Sequence, residues 1–372
     1  MIIKSDELKQ VCSKILSAVD SNELSVLTET LQLATENNNL VLSVTNREYF
    51  VEVKLPIMCS ENFYATVNAN LFLKLISQIT TSDIELTVDS TSLNVTGNGK
   101  YKLPLIFDND QLLQLPEILI NNPMKTFSIS SDILMSILQY NSKELLKGTI
   151  SRPVQKLYYI DEQGAITFTS GACVNNFTLP ECTKFLLNDR LVKLFKLFQN
   201  SDVNITIGYD PISDSIIQTK IKFENNMIKL TAILSCDDTM LNSVPVAAIR
   251  GRANNIYPYS VNIDKNALLQ TINRLLLFNT NGTKGNLKPY SIFEFNHDNV
   301  RIWDVAKINN EVISYNNSNI DDNYCATLDL IDLKMTLETC SEQYLTLNFG
   351  DSQAVVLARG NIKNIIPEVR SI

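Results

Sequence analysis

The feature that most constrains the fold is a pattern that occurs three times along the chain. Each copy is a short alternating segment, a Ser or Asp residue, and then apolar residues at helical spacing. The aspartates of the three copies are Asp6, Asp132 and Asp264, which lie 126 and 132 residues apart. A repeat of this length predicts three similar domains rather than one large core.

A second pattern, an apolar helix followed by a polar turn and an alternating strand, also occurs three times, about half a period later. Its helical parts are Leu71–Ile76, Leu191–Phe198 and Leu330–Leu337. Together the two patterns predict six helices, at 4–19, 68–79, 131–147, 185–199, 264–278 and 328–340. A chance alternation of helices and strands is the alternative interpretation.

Turn-forming residues interrupt the patterns near Asn121–Pro123 and Arg250–Asn255. We therefore expect domains at 1–122, 123–250 and 251–372. Strands outnumber helices, and most alternate between apolar and polar residues, as in sheets with one wet face. The predicted fold class is α+β with antiparallel sheets.

Composition excludes several classes of protein. Among the 372 residues, 45% are hydrophobic, yet the longest apolar runs are far shorter than a membrane-spanning helix, so we expect a soluble, cytoplasmic protein. Seven cysteines without a C-x-x-C pair argue against a disulfide framework or a zinc site. A single histidine, His297, argues against a multi-histidine metal site. We expect no cofactor, no metal and no role for His297, which lies in a turn sequence.

Charge is distributed unevenly along the chain. The six predicted helices carry twelve basic and nine acidic residues, a net charge of +3, whereas the rest of the chain has a net charge of −11. Mildly basic helices on an acidic body are typical of a protein that admits a polyanion at one surface. The alternative is that Lys and Arg are good helix formers on solvated faces. No base-reading motif is evident, so any DNA contact should be to phosphates and independent of sequence.

Several strings, in the same order along the chain, resemble the bacterial-type DNA sliding clamp, the beta subunit of DNA polymerase III. They span nearly the whole sequence: Leu24–Leu27, Glu48–Val53, Thr66–Ala69, Arg152–Val154, Thr169–Gly171 and Ile365–Arg370. The resemblance implies three clamp domains with antiparallel sheets outside and paired helices inside. It also implies a head-to-tail homodimer that closes a ring around double-stranded DNA.

The resemblance further implies a non-catalytic processivity factor of bacterial or phage origin. Such a ring slides on DNA and tethers the replicative DNA polymerase, and the clamp loader is its other partner. Partners bind through a short peptide that enters a hydrophobic pocket, which here would include Val154, Thr169, Gly171, Val174 and Ile366. The alternative for the apolar residues of this set is that they belong to the core. Where many members have His-Arg, this chain has Ala172-Cys173, so we expect a more apolar pocket.

The remaining predicted contacts concern DNA and the second subunit. Residues that grip DNA in the first domain of studied clamps fall on Ser21 and Ser77, so those contacts are not expected here. On charge alone, the expected phosphate contacts are Lys143, Lys147, Arg152, Lys193 and Lys196. The expected dimer interface pairs Tyr101 and Leu103 with Leu277 and Phe278, and the alternative is that part of this set belongs to the internal core.

Two other functions stay open from the sequence. A clamp-shaped scaffold that only docks proteins, without encircling DNA, is supported by the serines in the first domain and by the altered pocket string. A hydrolase or transferase is disfavoured, because no convergent acid and base residues are evident.

Overall fold

The structure is a computed structural model that describes residues 1–20, 25–58, 62–147, 151–213, 216–234, 238–279 and 289–369. Its strands, in chain order, are β1 Ile2–Lys4, β2 Thr30–Glu36, β3 Asn39–Asn46, β4 Tyr49–Pro56, β5 Tyr64–Asn68, β6 Asp83–Val88, β7 Ser92–Thr96, β8 Lys100–Pro104, β9 Phe107–Asp108, β10 Gln111–Leu112, β11 Pro123–Ile129, β12 Leu157–Asp161, β13 Gly164–Phe168, β14 Ala172–Asn176, β15 Phe185–Asn188, β16 Val203–Ser213, β17 Ile216–Glu224, β18 Ile228–Leu234, β19 Tyr259–Asp264, β20 Tyr290–Phe295, β21 Asn299–Asp304, β22 Asn310–Ser314, β23 Asn317–Ser318, β24 Tyr324–Asp329, β25 Tyr344–Phe349, β26 Ala354–Arg359 and β27 Ile362–Pro367.

The α-helices are shorter and less numerous than the strands. They are α1 Ser5–Leu16, α2 Ala69–Gln78, α3 Ser131–Ser136, α4 Ser142–Glu144, α5 Asp189–Lys193, α6 Asp238–Asn242, α7 Val246–Ala253, α8 Lys265–Asn279 and α9 Leu330–Leu337. A π-helical turn, Ile137–Asn141, connects α3 to α4, and 3₁₀ turns occupy Pro153–Lys156 and Leu194–Phe198. Within the described ranges, no helix combines the length and the apolar character that crossing a membrane would require.

The chain packs into two compact units. Unit 1 contains Met1–Met135 and Arg190–Asp237, and unit 2 contains Ser136–Asp189 and Asp238–Ile372. In unit 1 the sheets have the strand orders β1-β6-β7-β8, β10-β9 and β11-β16-β17-β18-β4-β3-β2-β5. In unit 2 the orders are β15-β12-β13-β14-β27-β26-β25-β19-β23 and β22-β21-β20-β24.

Two strand pairs join segments that the repeat assigns to neighbouring domains. In unit 1, β18 pairs antiparallel with β4, with Leu230 opposite Val51. In unit 2, β14 pairs antiparallel with β27, with Val174 opposite Lys363. Continuous sheets therefore cross the predicted boundaries, and the division into three domains at 122/123 and 250/251 stays a prediction based on the repeat.

The repeated helices form where the pattern predicts them, as α2 illustrates. The side chain of Asn68 accepts a hydrogen bond from the backbone N–H of Leu71, at 3.0 Å, and so caps the first turn. Phe72 and Ile76 are fully buried, whereas Lys74 on the opposite face is exposed. Capping and one apolar face together fix this helix against its sheet.

The caps of the first pattern differ between copies. Asp264 accepts from the N–H of Ala267 at 2.7 Å, as a capping aspartate should. Asp6 and Asp132 instead lie in the first turns of α1 and α3. There their charge offsets the helix dipole, and in the second copy the hydroxyl of Ser130 accepts from the N–H of Ile133.

The sequence-based helix bounds need two corrections. Residues 185–188 form β15, because they pair antiparallel with β12, from Phe185 opposite Ile160 to Asn188 opposite Leu157, and the helix begins at Asp189. Two helices that the sequence did not predict are α6, at 238–242, and α7, at 246–253. Helix α7 overlaps the predicted domain boundary at Arg250–Asn255. Helix α7 buries only Ala253, so it has no apolar stripe by which the sequence could reveal it.

Aromatic residues occupy the core of each unit. In unit 1, Phe223 on β17 contacts Phe195 and Phe198, with ring centroids 5.3 and 6.3 Å away. In unit 2, Phe295 stacks on Phe349 at 4.2 Å between centroids. These rings are fully buried, which accounts for much of the apolar area that stabilises each unit.

Asp210 on β16 holds the segment that leads into β11. Its carboxylate accepts from the N–H of Asn122 at 2.9 Å and from the N–H of Asn121 at 3.2 Å, and it pairs with the ammonium of Lys220 at 2.9 Å. The hydrogen bond from Lys220, together with the two backbone N–H groups, lowers the pKa of Asp210 from 3.8 to about 2.

Replacing Asp210 with Asn is therefore expected to destabilise the fold near neutral pH but not in strong acid. A carboxyl whose folded pKa is depressed stabilises the protein above its unfolded pKa, and this contribution disappears as the pH falls through the folded value of about 2. We expect Asp210→Asn to lower the free energy of unfolding by about 1–3 kcal/mol at pH 6, and to make no difference below pH 2. Urea unfolding at a series of pH values measures this. A difference independent of pH would show that the charge of Asp210 is not what stabilises the segment.

Candidate functional site

A groove with a volume of about 450 Å³ lies on unit 2. One wall is the turn between β13 and β14, a second is α7 with the residue that precedes it, and a third is formed by β26, β27 and their extensions. The lining residues are Phe168, Thr169, Ser170, Gly171, Ala172, Pro245, Ala248, Ile249, Arg252, Gln353, Ala354, Ile365, Pro367 and Glu368. Most of these are apolar or present backbone, so the groove suits an apolar side chain in an extended segment.

Only part of the predicted pocket lines this groove. Thr169 and Gly171 do so. Val154, Val174 and Ile366 are buried in the core of unit 2 and do not line the cavity. Strand alternation turns Ile366 away from its neighbours Ile365 and Pro367, which line the groove. Val174 lies two residues beyond Ala172 along β14, outside the lining.

The residues that the sequence analysis missed lie on α7 and at the end of the chain. Pro245, Ala248, Ile249 and Arg252 form one wall, and Glu368 follows β27 at the rim. A signal was present: the apolar run Val244–Ile249 precedes two arginines. The predicted domain boundary at Arg250–Asn255 follows this run directly, and no helix is predicted across it.

Gly171 is required by the close approach of two strands. A Cβ atom at this position would lie 2.3 Å from the carbonyl oxygen of Ile365 and 3.3 Å from Oε1 of Glu144. Backbone on one side and a buried carboxylate on the other leave no room for a side chain. The turn at Thr169–Gly171 is therefore closed, with the N–H of Thr169 donating to the carbonyl of Gly171 at 2.9 Å.

The Ala172-Cys173 pair contributes to the groove through one residue only. Ala172 lines the wall, and its methyl group adds apolar surface, in line with the expectation of a more apolar pocket. Cys173 is fully buried and does not line the groove. Burial raises the pKa of its thiol to about 12, so this cysteine stays protonated and is not a nucleophile.

A buried ion pair lies behind the Thr169–Gly171 turn. Lys147 donates to Oε2 of Glu144 at 2.8 Å and also to the hydroxyl of Thr336. The other oxygen of Glu144 accepts from the hydroxyl of Thr169 at 3.2 Å. Burial raises the pKa of Glu144, and the charge of Lys147 opposes that shift. The pair thus connects the groove turn to α9.

The burial of Lys147 contradicts its predicted role as a DNA contact. Only 3% of this residue is exposed, because its ammonium is enclosed by Glu144 and Thr336. A phosphate could reach it only after this network opened. The signal that misled the sequence analysis was its place in a helix-forming segment, where a lysine is ordinarily solvated.

The other predicted DNA contacts are accessible. Arg152, Lys193 and Lys196 are exposed, and Lys143 is partly exposed. In the described part of the chain, Lys143, Arg152 and Lys196 form no ion pair, whereas Arg274 on α8 is held by Glu311. Ser77 is exposed at the end of α2, and Ser21 lies outside the described residues.

The predicted dimer-interface residues fall into two groups. Leu277 and Phe278, at the end of α8, are 64% and 55% exposed, and Tyr101 on the edge strand β8 is 38% exposed. Leu103 is only 2% exposed, so it is a core residue of unit 1 rather than a contact surface. Tyr101 and Leu103 are two residues apart and share one face of β8, so the difference comes from what packs against each side chain and not from strand alternation.

The described ranges contain no group of three or more His, Cys, Asp or Glu side chains placed to hold a metal ion. His297 is exposed in the turn between β20 and β21, where a hydrogen bond from its imidazole to the carboxylate of Asp298 raises its pKa. Trp303 donates to Glu294 at 2.7 Å and packs under Arg301.

The architecture resembles that of several proteins of known structure. The beta subunit of the DNA polymerase of Streptococcus pyogenes superposes with a TM-score of 0.80 at 16% sequence identity, covering 100% of this chain and 99% of that one. DNA polymerase III subunit beta of Pseudomonas aeruginosa gives a TM-score of 0.78 at 13% identity, covering 100% of both chains. The chain has the fold of the DNA polymerase III beta subunit. The predicted clamp fold is confirmed.

Two further comparisons bear on this clamp fold. Residues 1–113 match the sequence family described as DNA polymerase III beta subunit, N-terminal domain. The DNA polymerase sliding clamp of Bacillus subtilis has a TM-score of 0.76 at 13% identity, covering 100% of this chain and 99% of that one. No curated protein matches the chain in sequence. The clamp fold thus extends over the whole chain, while the sequence match is confined to its first third.

Proposed function

We propose that this protein is a DNA sliding clamp, a non-catalytic processivity factor for a replicative DNA polymerase. A fold alone does not determine function, so the proposal rests on the site. The observation that carries it is the groove on unit 2: two of the residues taken from the family's pocket strings, Thr169 and Gly171, line the cavity together with α7.

In this proposal the chain forms a head-to-tail homodimer that closes a ring around double-stranded DNA. Exposed cations at Lys143, Arg152, Lys193 and Lys196 contact phosphates, which gives binding without sequence preference and permits sliding. The acidic remainder of the surface repels DNA elsewhere. Ring closure, rather than affinity, keeps the protein on its template.

The groove receives a short segment of the polymerase or of the clamp loader. A segment held there keeps its protein at a high effective concentration near the primer end, so one dissociation of the polymerase no longer ends synthesis. Because loader and polymerase would share one groove, their binding would be mutually exclusive on each subunit.

Topological retention on DNA tests the proposal. The purified protein is threaded over the free end of a duplex tethered to a bead, and that end is then capped with a bulky antibody. A wash at 0.5 M NaCl removes proteins held only by phosphate contacts. We expect retention through the wash and release when a restriction enzyme cuts the duplex.

The comparison sample is the same duplex left uncapped, from which a ring slides off. Loss of the protein from the capped and the uncapped duplex alike would contradict encirclement, and would favour a scaffold that only docks proteins. Retention that survives restriction cleavage would indicate tight local binding instead of a ring.

A further inference from the structure

The groove on unit 2 has two ionisable side chains in its lining, Arg252 on α7 and Glu368 after β27. All other lining residues are neutral. If one of these two charges lacks an opposite charge within the protein, a bound segment should supply it.

Arg252 is already matched by residues beside the groove. Its guanidinium contacts Oδ2 of Asp351 at 3.4 Å and donates to the side-chain carbonyl of Gln353. The carbonyl of Arg252 accepts from the hydroxyl of Tyr257 at 3.0 Å. The positive charge of this wall is thus neutralised within the protein.

Glu368 is held in place but has no cationic partner among the described residues. Both of its carboxylate oxygens accept from the hydroxyl of Tyr324 at 2.8 Å, and its N–H donates to the carbonyl of Gln353 at 2.9 Å. The hydroxyl of Tyr324 accepts in turn from the N–H of Ser352 at 3.0 Å. A single phenol leaves the carboxylate with unused acceptor capacity.

The charges at this end of the groove do not cancel. One cation, Arg252, faces two carboxylates, Asp351 and Glu368, which leaves a net charge of −1. Burial of the carboxyl and the nearby charge of Asp351 raise the pKa of Glu368, so its ionised form is less well stabilised than in water. A cation placed beside it would supply the missing stabilisation.

We propose that Glu368 makes the groove selective for a peptide segment that carries a Lys or Arg residue next to its apolar side chains. This inference rests on the proposed function, because it names the chemistry of the segment that the polymerase or loader inserts. The apolar walls take the hydrophobic side chains, while the carboxylate of Glu368 pairs with the basic one. A segment with an acidic residue at that position is rejected by Glu368 and Asp351.

The test uses a defined pool of peptides and the full-length protein. Acetylated hexapeptides contain Leu-Phe at two adjacent positions, and their other four positions vary among Ala, Gln, Lys and Glu. Peptides retained by the immobilised protein at 50 mM NaCl are identified by mass spectrometry. We expect Lys to be enriched over Gln about fivefold to tenfold at one position, and the enrichment to fall at 500 mM NaCl.

Variants of the protein test whether Glu368 causes the preference for a Lys residue in the peptide. Glu368→Gln keeps an acceptor for Tyr324 and should retain peptides without preferring Lys, whereas Glu368→Lys should prefer Glu at the same position. Glu342→Gln is the matched control, because it removes one exposed acidic charge from unit 2 outside the groove lining. It should leave the enrichment unchanged, and thermal unfolding verifies that all variants fold.

The outcomes separate this inference from the proposed function. Retention without any preference for Lys, or a preference that persists in Glu368→Gln, overturns the role of Glu368 and leaves the groove as a peptide site. Retention of no peptide by the parent protein overturns the groove as a peptide site, and the selectivity falls with it.

Discussion

Replacing Leu277 and Phe278 together with glutamate is expected to yield a folded monomer that is no longer retained on capped DNA. Both side chains are more than half exposed, at adjacent positions at the end of α8. Burying one such side chain in an interface contributes about 1.5–3 kcal/mol, so losing both weakens each of the two interfaces of the ring by about two to four orders of magnitude in its dissociation constant. Two introduced carboxylates add a desolvation cost.

Sedimentation velocity at micromolar concentration measures the expected change, and circular dichroism verifies folding. Ile256→Glu is the matched control, since Ile256 is an exposed apolar residue of the same unit outside the predicted interface. That variant should sediment like the parent protein. A double variant that also sediments as an unaltered dimer would place the interface elsewhere.

Replacing Lys147 with methionine should destabilise unit 2 severely, although methionine has a similar volume. The change leaves the carboxylate of Glu144 buried without its counter-ion, which typically costs about 3–5 kcal/mol. Protonation of Glu144 would then restore part of the stability of the folded state. Because its folded pKa is raised above the unfolded one, the free energy of unfolding should fall as the pH rises above about 4.5.

Urea unfolding at pH 4.5 and pH 7.5 measures this loss, which should be larger at the higher pH. The double variant Glu144→Gln, Lys147→Met is the control, because it removes both charges while the amide oxygen can still accept from Thr169. We expect it to recover most of the lost stability. If the single variant is as stable as the parent, the ion pair does not hold the groove turn.

The helices show how much of the secondary structure the sequence pattern can predict. For α2 and α8, the apolar spacing and the polar cap were visible in the chain, and the structure places both helices within about a residue of the prediction. Helix α7 could not be predicted in this way, because only Ala253 is buried and the segment is not amphipathic. Its place beside β14 and β27 stabilises it, and those strands are distant in sequence.

Among the residues of the groove, too, some could be predicted from the sequence and others could not. Thr169 and Gly171 could be found because the string Thr169–Gly171 resembles one of the sliding-clamp family. Glu368 and Arg252 could not, because they come together only when β27 pairs with β14 and α7 packs on both.

The amino-acid sequence by itself determined the threefold repeat, the antiparallel α+β class and the placement of most helices, because these depend on periodicities of two and 3.6 residues within short segments. Only the tertiary structure decided which side chains are available. Lys147 lies in a helix-forming segment like its neighbour Lys143, and Leu103 lies on a strand with Tyr101, yet one member of each pair is buried. Exposure depends on what the rest of the fold places against a residue, and local patterning carries no information about that.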